Sequence, residues 1–291
     1  MPQEKRDGRR SEESFSGAAE LDGLSRKQVD EVERQSRPNA ALIHETIRAE
    51  GESELERSAS ALALSALAAG LSMGFSLLVQ GWLQAAIVDG PTKELIAPLG
   101  YTVGFLVVVL GRQQLFTENT LTPILPLLHN RDWKTVRGVA RLWAVVLAAN
   151  IAGTILFAFA VAHSGIFEPA RFNAFLTIGR EALNGDFAST FLRGIFAGWL
   201  IALMVWLLPG AEAARIFVIL VITYVVSLGH FSHIIAGSVD AAFMVATGHA
   251  DWIDYLFRFF VPTLLGNILG GIALVAVLNY GQVAAEIEGT E

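Results

Sequence analysis

Two histidines interrupt an otherwise apolar part of the chain, in the segment Gly229-His230-Phe231-Ser232-His233. The residues before it, 214–228, and after it, 234–248, are almost all apolar or small. Ionisable side chains within a membrane span are costly, and by default they mark a water-filled path or a binding site. We therefore predict that His233 serves a path through the membrane. For His230, an ordinary position at a helix end fits equally well.

A second polar interruption lies in the first half of the chain. The apolar run that ends at Leu110 is followed by Gly111-Arg112-Gln113-Gln114-Leu115-Phe116-Thr117-Glu118-Asn119-Thr120, and then by a short apolar piece, 121–128, that contains two prolines. This piece is too short to cross a bilayer, which takes about 20 residues, so it is interpreted as the second half of a broken helix. Backbone freed from a helix at membrane depth survives only where protein or a cavity satisfies it. Both breaks are thus expected at the centre of the protein.

Composition divides the chain into a polar tail and an apolar remainder. Of the 291 residues, 53% are hydrophobic and 17% are charged, whereas a soluble domain carries about a quarter charged residues. We predict a largely disordered cytoplasmic tail at 1–57, a transmembrane domain at 58–281 and a short cytoplasmic C-terminus at 282–291. Basic residues in the tail are balanced by acids, so no nucleic-acid partner is expected.

The sequence carries no convincing pattern for catalysis, metal binding or cofactor binding. It has no cysteine, which excludes thiolate metal sites and cysteine nucleophiles, and it has neither an H-E-x-x-H nor a P-loop pattern. The segment Gly70-Leu71-Ser72-Met73-Gly74 formally matches G-x-S-x-G. A nucleophile elbow needs a strand–turn–helix context, however, and this serine lies in a continuous apolar helix. The chain is predicted not to be an enzyme, and no metal or cofactor is expected.

Six stretches are long and apolar enough, or nearly so, to cross a bilayer. They are 60–88, 95–110, 136–162, 187–208, 214–248 with its break, and 255–280. Basic residues crowd the connection between the second and third stretches, at Arg131, Lys134, Arg137 and Arg141. Because short basic loops stay in the cytoplasm, both termini are expected there and the loop 163–186 outside.

A short internal match indicates a repeat. Asn150-Ile151-Ala152-Gly153 resembles Asn267-Ile268-Leu269-Gly270, and the two breaks have nearly the same separation along the chain. Three spans per repeat is an odd number, so the two halves must lie in the membrane with opposite topology. Inverted repeats with paired broken helices place a binding site near the bilayer midplane. The predicted fold is an all-α integral membrane protein of six spans in two inverted three-helix repeats, with spans two and five broken.

At these residues the chain resembles the formate/nitrite transporter family, over 60–280. The matching segments are Leu115-Phe116-Thr117, Gly194-Ile195-Phe196-Ala197 with Val205-Trp206, Phe231-Ser232-His233, and Val261-Pro262-Thr263 with Gly266-Asn267-Ile268-Leu269-Gly270-Gly271. The first break is most similar to a less-studied bacterial branch. The resemblance implies an aquaporin-like fold, assembled as a homopentamer in the inner membrane with one pore in each protomer. It also implies passage of small monovalent anions, such as formate, nitrite or hydrosulfide, or of their protonated acids.

The resemblance also implies roles for individual residues. Thr117 matches the threonine in the family's first broken helix, and His233 matches its central pore histidine. Leu115 and Phe116 match the apolar gate on the cytoplasmic side. The outer constriction and the remaining pore lining are assigned to Tyr101, Phe105 and Phe231.

Several positions depart from the family pattern. The asparagine expected in the fourth span is Gly198, and the one four residues after the histidine is Gly237. The lysine expected before the fourth span is replaced by Ala182, with Arg180 the nearest cation. These differences leave the cargo open.

Opposite charges flank the first break, at Arg112 and Glu118. We expect an ion pair that braces the loop, and the alternative is a charge filter at the inner mouth of the pore. Asp240 lies about two helical turns past His233 and faces either the pore or a neighbouring subunit.

General physical chemistry indicates how an anion could cross the two breaks. Half-helix N-termini attract an anion, the Thr117 hydroxyl can donate to it, and His233 is of the residue type that titrates closest to neutral pH. Apolar surroundings favour a protonated carboxylate, so His233 is expected to supply or share a proton with the cargo. Two alternatives stay open: a neutral small-solute channel of aquaporin-like shape, and a non-conducting membrane scaffold that acts through the 1–57 tail.

Overall fold

The computed structural model describes residues 38–273 and residue 281. Every regular element in these residues is helical. Predictions for 1–37, for 274–280 at the end of the sixth stretch and for the 282–291 C-terminus lie outside the described residues.

The chain order of the helices follows the two predicted breaks. In order they are α1 (Ala40–Glu56), α2 (Ala59–Ala86), α3 (Pro91–Ile96), α4 (Pro98–Leu110), α5 (Ile124–Asn130), α6 (Trp133–His163), α7 (Pro169–Ala182), α8 (Phe187–Leu207), α9 (Arg215–Leu228), α10 (Ala236–Ala246), α11 (Trp252–Asp254) and α12 (Val261–Gly271). A π-helix, Tyr255–Phe260, joins α11 directly to α12, and short 3₁₀ turns lie at Glu118–Thr120, Leu208–Gly210 and Glu212–Ala214. The first break thus separates α4 from α5, and the second separates α9 from α10.

Four helical segments of the described residues are long and apolar enough to cross a membrane. They are Ala59–Ala86, Pro91–Leu110, Trp133–His163 and Phe187–Gly210. These segments overlap the first four predicted stretches. The fifth stretch is divided between α9 and α10, and each part is shorter than a bilayer span.

Helix packing centres on two long pairs. Helix α12 packs along α8, and α2 packs along α6. Helix α4, the first half of the first broken helix, also packs on α2. The broken helices fit between these pairs, because α9 packs on α4 and on α8 while α10 packs on α6 and on α7. One apolar core, which includes Leu62, Met73, Phe105 and Phe243, runs through these contacts. The packing buries residues 114–117 of the first break and 233–235 of the second inside the bundle, whereas the first residues of each break are exposed.

Both breaks begin with the same helix-ending motif. In each, the second residue after the helix adopts a left-handed conformation, and the next N–H returns to a carbonyl in the last helical turn, as in a Schellman motif. The first break has Arg112 at φ 48° and a 3.0 Å bond from Gln113 N–H to Val108 O, and the second has His230 at φ 50° and a 3.0 Å bond from Phe231 N–H to Val226 O. The two breaks therefore share a local backbone conformation.

Candidate pore site at the two breaks

The two breaks meet at one side-chain contact. Thr117 Oγ1 lies 2.8 Å from His233 Nε2, and the two side chains are 0% and 1% exposed. Thr117 comes from the first break and His233 from the second, so tertiary packing alone brings them together. The structure thus joins the hydroxyl and the imidazole that the sequence pattern singled out.

A backbone bond fixes the tautomer of His233. Ala236 N–H donates to Nδ1 at 3.1 Å, so Nδ1 is an acceptor and the proton of the neutral ring is assigned to Nε2. Nε2–H then donates to Thr117 Oγ1. The hydroxyl hydrogen of Thr117 has no acceptor among the described residues. The pair offers an O–H donor rather than a positive charge.

Aromatic rings pack around the imidazole. The ring centroids of Phe105 and His233 are 4.9 Å apart in an edge-to-face arrangement, and Tyr101 lies 5.2 Å from Phe105. Phe231 stacks on Phe196 at 5.1 Å. Tyr101, Phe105 and Phe231, which the sequence assigned to the pore lining, thus lie on or next to the walls around His233.

A recess leads from His233 to the surface on one side. Its volume is about 530 Å³ when the solvent space at its mouth is included. The mouth of the recess lies beside α7, which belongs to the loop expected outside the membrane. Its polar and ionisable lining consists of Gln80, Tyr101, Glu181, Arg193, Ser227, His230, Ser232, His233 and Asp240. His230 faces Glu181, with Nδ1 3.8 Å from Oε2.

Leu115 and Phe116 do not belong to the recess lining. Both side chains are fully buried. The Phe116 ring packs edge-to-face on Trp143 at 5.7 Å, and Trp143 Nε1–H donates to Asn119 O at 2.8 Å. In this conformation these two residues fill space instead of lining an open path.

The ion pair expected between Arg112 and Glu118 is absent from the described part of the chain. Arg112 lies exposed in the left-handed turn that ends α4. Glu118 begins the 3₁₀ turn further along the break and points inward, where its Oε1 is buried without a hydrogen-bond partner among the described residues. The expectation was wrong because the two turns of the break direct these side chains apart.

Helix α1 occupies 40–56 of the tail that was expected to be largely disordered, and it brings a carboxylate to the first break. Glu54 Oε2 accepts from Thr122 Oγ1 at 2.7 Å, and its Oε1 accepts from Gln114 Nε2 at 3.1 Å. Gln114 Oε1 in turn accepts from Asn119 Nδ2 at 2.9 Å. Burial raises the pKa of the Glu54 carboxyl. No sequence pattern marked Glu54, because it is one of several acids on a charged helix.

A buried asparagine holds the first break from outside it. Asn150 of α6 accepts from Phe116 N–H at 2.9 Å, and its amide donates to Gln114 O at 2.9 Å and to Ala66 O at 2.7 Å. The side chain is completely buried. It supplies partners to backbone groups that the break removes from a helix, as membrane depth requires.

A second asparagine does the same for the second break. Asn267 of α12 accepts from Ile234 N–H, and its amide donates to Ser232 O and to Gly194 O, each at 2.8 Å. Each asparagine binds the C=O of one residue and the N–H of the residue two positions later. The residue between them is Leu115 in the first break and His233 in the second. The sequence marked both asparagines only as signs of a repeat. The signal that could have revealed their structural role is a lone amide side chain inside an apolar helix.

The two glycines that replace the family's asparagines lie where no side chain fits. A Cβ on Gly198 would lie 2.3 Å from Asn267 O, and one on Gly237 would lie 2.6 Å from the Phe259 ring. Backbone of α12 and an aromatic ring therefore occupy the space into which amides at these positions would extend.

We expect Gly198→Asn to disrupt the bundle rather than to restore a family feature, because the new side chain must push α8 away from α12. Size-exclusion chromatography of the detergent-solubilised protein should show loss of the native oligomer. Gly210→Asn is the control, since a Cβ there would meet nothing closer than 3.5 Å. A native elution profile for Gly198→Asn would contradict the packing argument.

Long apolar helices around two broken helices that meet at a buried polar contact are typical of membrane transport proteins. The formate/nitrite transporter family model matches residues 41–281. The chain therefore belongs to the formate/nitrite transporter family, as the resemblance predicted, and it is a transport protein rather than an enzyme.

Individual relatives agree with this assignment. The chain is 44% identical over 254 residues to inner membrane protein YfdC of Escherichia coli K12, which covers 87% of this chain and 82% of that protein. It is 26% identical over 208 residues to the formate channel BtFdhC of Bacillus thuringiensis, covering 70% of this chain and 79% of the relative. A solved structure of a pentameric formate channel with formate bound matches with a TM-score of 0.63 at 22% identity, over 76% of this chain and 96% of that one. The structural likeness shows a shared fold.

Proposed function

We propose that the protein is an inner-membrane channel or transporter for small monovalent anions or their weak acids, of the formate, nitrite and hydrosulfide class. The observation that carries this proposal is the buried Thr117–His233 contact at the end of a recess open to one side. The 26% identity between this chain and a formate channel supports the proposed cargo class.

The proposal includes an architecture. We place six spans in two inverted three-helix repeats, with both termini in the cytoplasm and five protomers around an axis in the bilayer. The matching turns at Arg112 and His230, and the matching amide clamps by Asn150 and Asn267, support the repeat. The pentameric assembly of the structurally similar formate channel supports the oligomer.

The proposed path runs from the recess past Tyr101 and Phe105 to Thr117, and then past Leu115 and Phe116 to the inner side. Apolar rings exclude hydrated ions, and a carboxylate in such surroundings favours its protonated form. The cargo would receive the Thr117 hydroxyl hydrogen bond while crossing as a largely neutral species. Because Ala236 N–H occupies Nδ1 of His233, any proton sharing with this histidine runs through Nε2 and Thr117.

A flux panel in proteoliposomes tests this function. We expect formate, nitrite or hydrosulfide to enter faster than through empty liposomes, with a rate that rises as the pH falls, and glycerol to be excluded. Acetate reports the size limit of the path. Each solute is measured at two pH values, with protein-free vesicles correcting for passive diffusion of the acids. Glycerol entry without anion entry would favour the neutral-solute channel, and no flux of any solute would favour the scaffold.

A further inference from the structure

Asp240 is an ionisable side chain within a membrane helix for which the path described so far has no use. It lies on α10, seven residues after His233 and four residues after the start of the helix at Ala236. It lines the same recess as His233 and Tyr101. Such a residue in a span marks a function by default, and its partner must be identified.

Asp240 lines the recess without a polar partner among residues 38–273. Its carboxylate makes no hydrogen bond and no ion pair with the residues that the structure describes. Glu181 is the other acid in the recess and faces His230 at 3.8 Å. Arg193 is the permanently charged cation of the lining, and its Nη1 donates to Asn184 O at 3.1 Å. The titratable and charged groups facing the recess with Asp240 are Tyr101 from α4, Glu181 from α7, Arg193 from α8, and His230 and His233 from the second break.

An ionised Asp240 would oppose the cargo. An anion in the recess would meet a like charge whose field a narrow, protein-lined space screens poorly. A protonated Asp240 removes this repulsion and presents an acidic hydrogen to the anion. Asp240 lines the recess together with His233, and it can therefore act on a molecule that has entered the recess.

We propose that Asp240 is the proton donor of the recess, which neutralises an entering anion before it reaches Thr117. The proposal rests on the function proposed above and names the residue that carries out its proton step. For formate, the O–H bond of the Asp240 carboxyl breaks and an O–H bond forms on the formate oxygen. The negative charge moves from the cargo to Asp240, and a hydronium ion from the water at the mouth then returns the proton. Donor and acceptor are both carboxyl groups, so the transfer moves one proton and one negative charge between them and needs no further reactant.

The test compares formate uptake and internal acidification of proteoliposomes across a range of external pH. For the wild type we expect uptake that rises as pH falls, with one proton entering per formate. D240N keeps the size of the side chain but cannot donate an acidic proton. We expect it to lose the pH dependence and to reduce uptake at low pH by roughly tenfold or more, a modest value for lost general-acid catalysis.

Matched variants separate the alternatives. E168Q removes an exposed carboxylate at the start of α7, outside the recess, and should keep the wild-type profile. D240E keeps the carboxyl group and should keep the pH dependence, with its midpoint shifted. If D240N does not assemble, D240E alone tests the role of Asp240. A carboxylate with a purely structural role would leave the midpoint of the pH dependence unchanged.

The outcomes distinguish this inference from the proposed function. A wild type without formate uptake above protein-free vesicles would refute the proposed function itself. Wild-type uptake together with a D240N variant that keeps its pH dependence would overturn only the role of Asp240. Faster uptake in D240N with an unchanged pH profile would make Asp240 a repulsive filter. Loss of the pH dependence in E181Q but not in D240N would make Glu181 the donor.

Discussion

Thr117→Val is expected to lower cargo flux by at least tenfold while the oligomer stays intact. Valine keeps the branched shape of threonine, so the packing of the first break is preserved. What is lost is the hydroxyl, which accepts from His233 Nε2–H and offers its own hydrogen to the path. The initial rate of formate uptake in proteoliposomes, at equal protein incorporation, measures the effect.

The size of the effect follows from the burial of the pair. In Thr117→Val the cargo loses its hydrogen bond at a buried site, where a group left without its partner costs about 1–3 kcal/mol. If this cost falls on the crossing step, 1.4 kcal/mol corresponds to about a factor of ten in rate, so a tenfold loss lies in the lower half of the range.

Thr223→Val provides a matched control. Thr223 is also fully buried, on α9, but its hydroxyl donates to Ile219 O of its own helix at 2.7 Å. The same chemical change at equal burial should leave flux near the wild-type value. Equal flux through the wild type and Thr117→Val would remove the buried pair from the transport path.

The sequence was informative about the breaks because a polar run inside an apolar span has few structural explanations. It located both interruptions, and the structure ends α4 at Leu110 and α9 at Leu228, where the apolar pattern stops. The family resemblance named Thr117 and His233, and the structure places their side chains in contact. A polar interruption of an apolar run was enough to locate both breaks.

Side-chain directions were beyond the sequence, because they depend on turn geometry and on helices far along the chain. The left-handed turn at Arg112 points it away from Glu118, and no local pattern predicts that turn at a non-glycine residue. The approach of α1 to the first break, which brings in Glu54, is set by tertiary packing. For Asp240 the sequence offered two directions, and the recess decides between them.

The amide clamps show why a broken helix can be stable at membrane depth. Breaking a helix exposes backbone donors and acceptors that lipid cannot satisfy. Each break here recovers one N–H and one C=O through a single asparagine, at Phe116 and Gln114 in the first and at Ile234 and Ser232 in the second. Each asparagine also donates to a neighbouring helix and so fixes the position of the break.

Asn267→Leu is therefore expected to destabilise the protein strongly. Leucine has a similar volume but leaves Ile234 N–H and Ser232 O without partners, at about 1–3 kcal/mol for each buried group. The resulting 2–6 kcal/mol is a large part of the 5–15 kcal/mol that stabilises a typical domain. In detergent, we expect the unfolding temperature to fall by roughly 5–20 °C, and Asn150→Leu should behave alike because its bonds follow the same pattern.

Two further variants show whether hydrogen bonding or packing is responsible. Asn267→Asp keeps the size and the acceptor for Ile234 N–H but loses both donors, so it should also destabilise the protein. Asn173→Leu changes an exposed asparagine on α7 and should leave the unfolding temperature near the wild-type value. If Asn267→Leu unfolded at the wild-type temperature, the backbone of the second break would have to find its partners elsewhere. Ser232 and Ile234, which Asn267 binds, flank His233 in the chain. That result would therefore mean that Asn267 does not hold His233 in its position opposite Thr117.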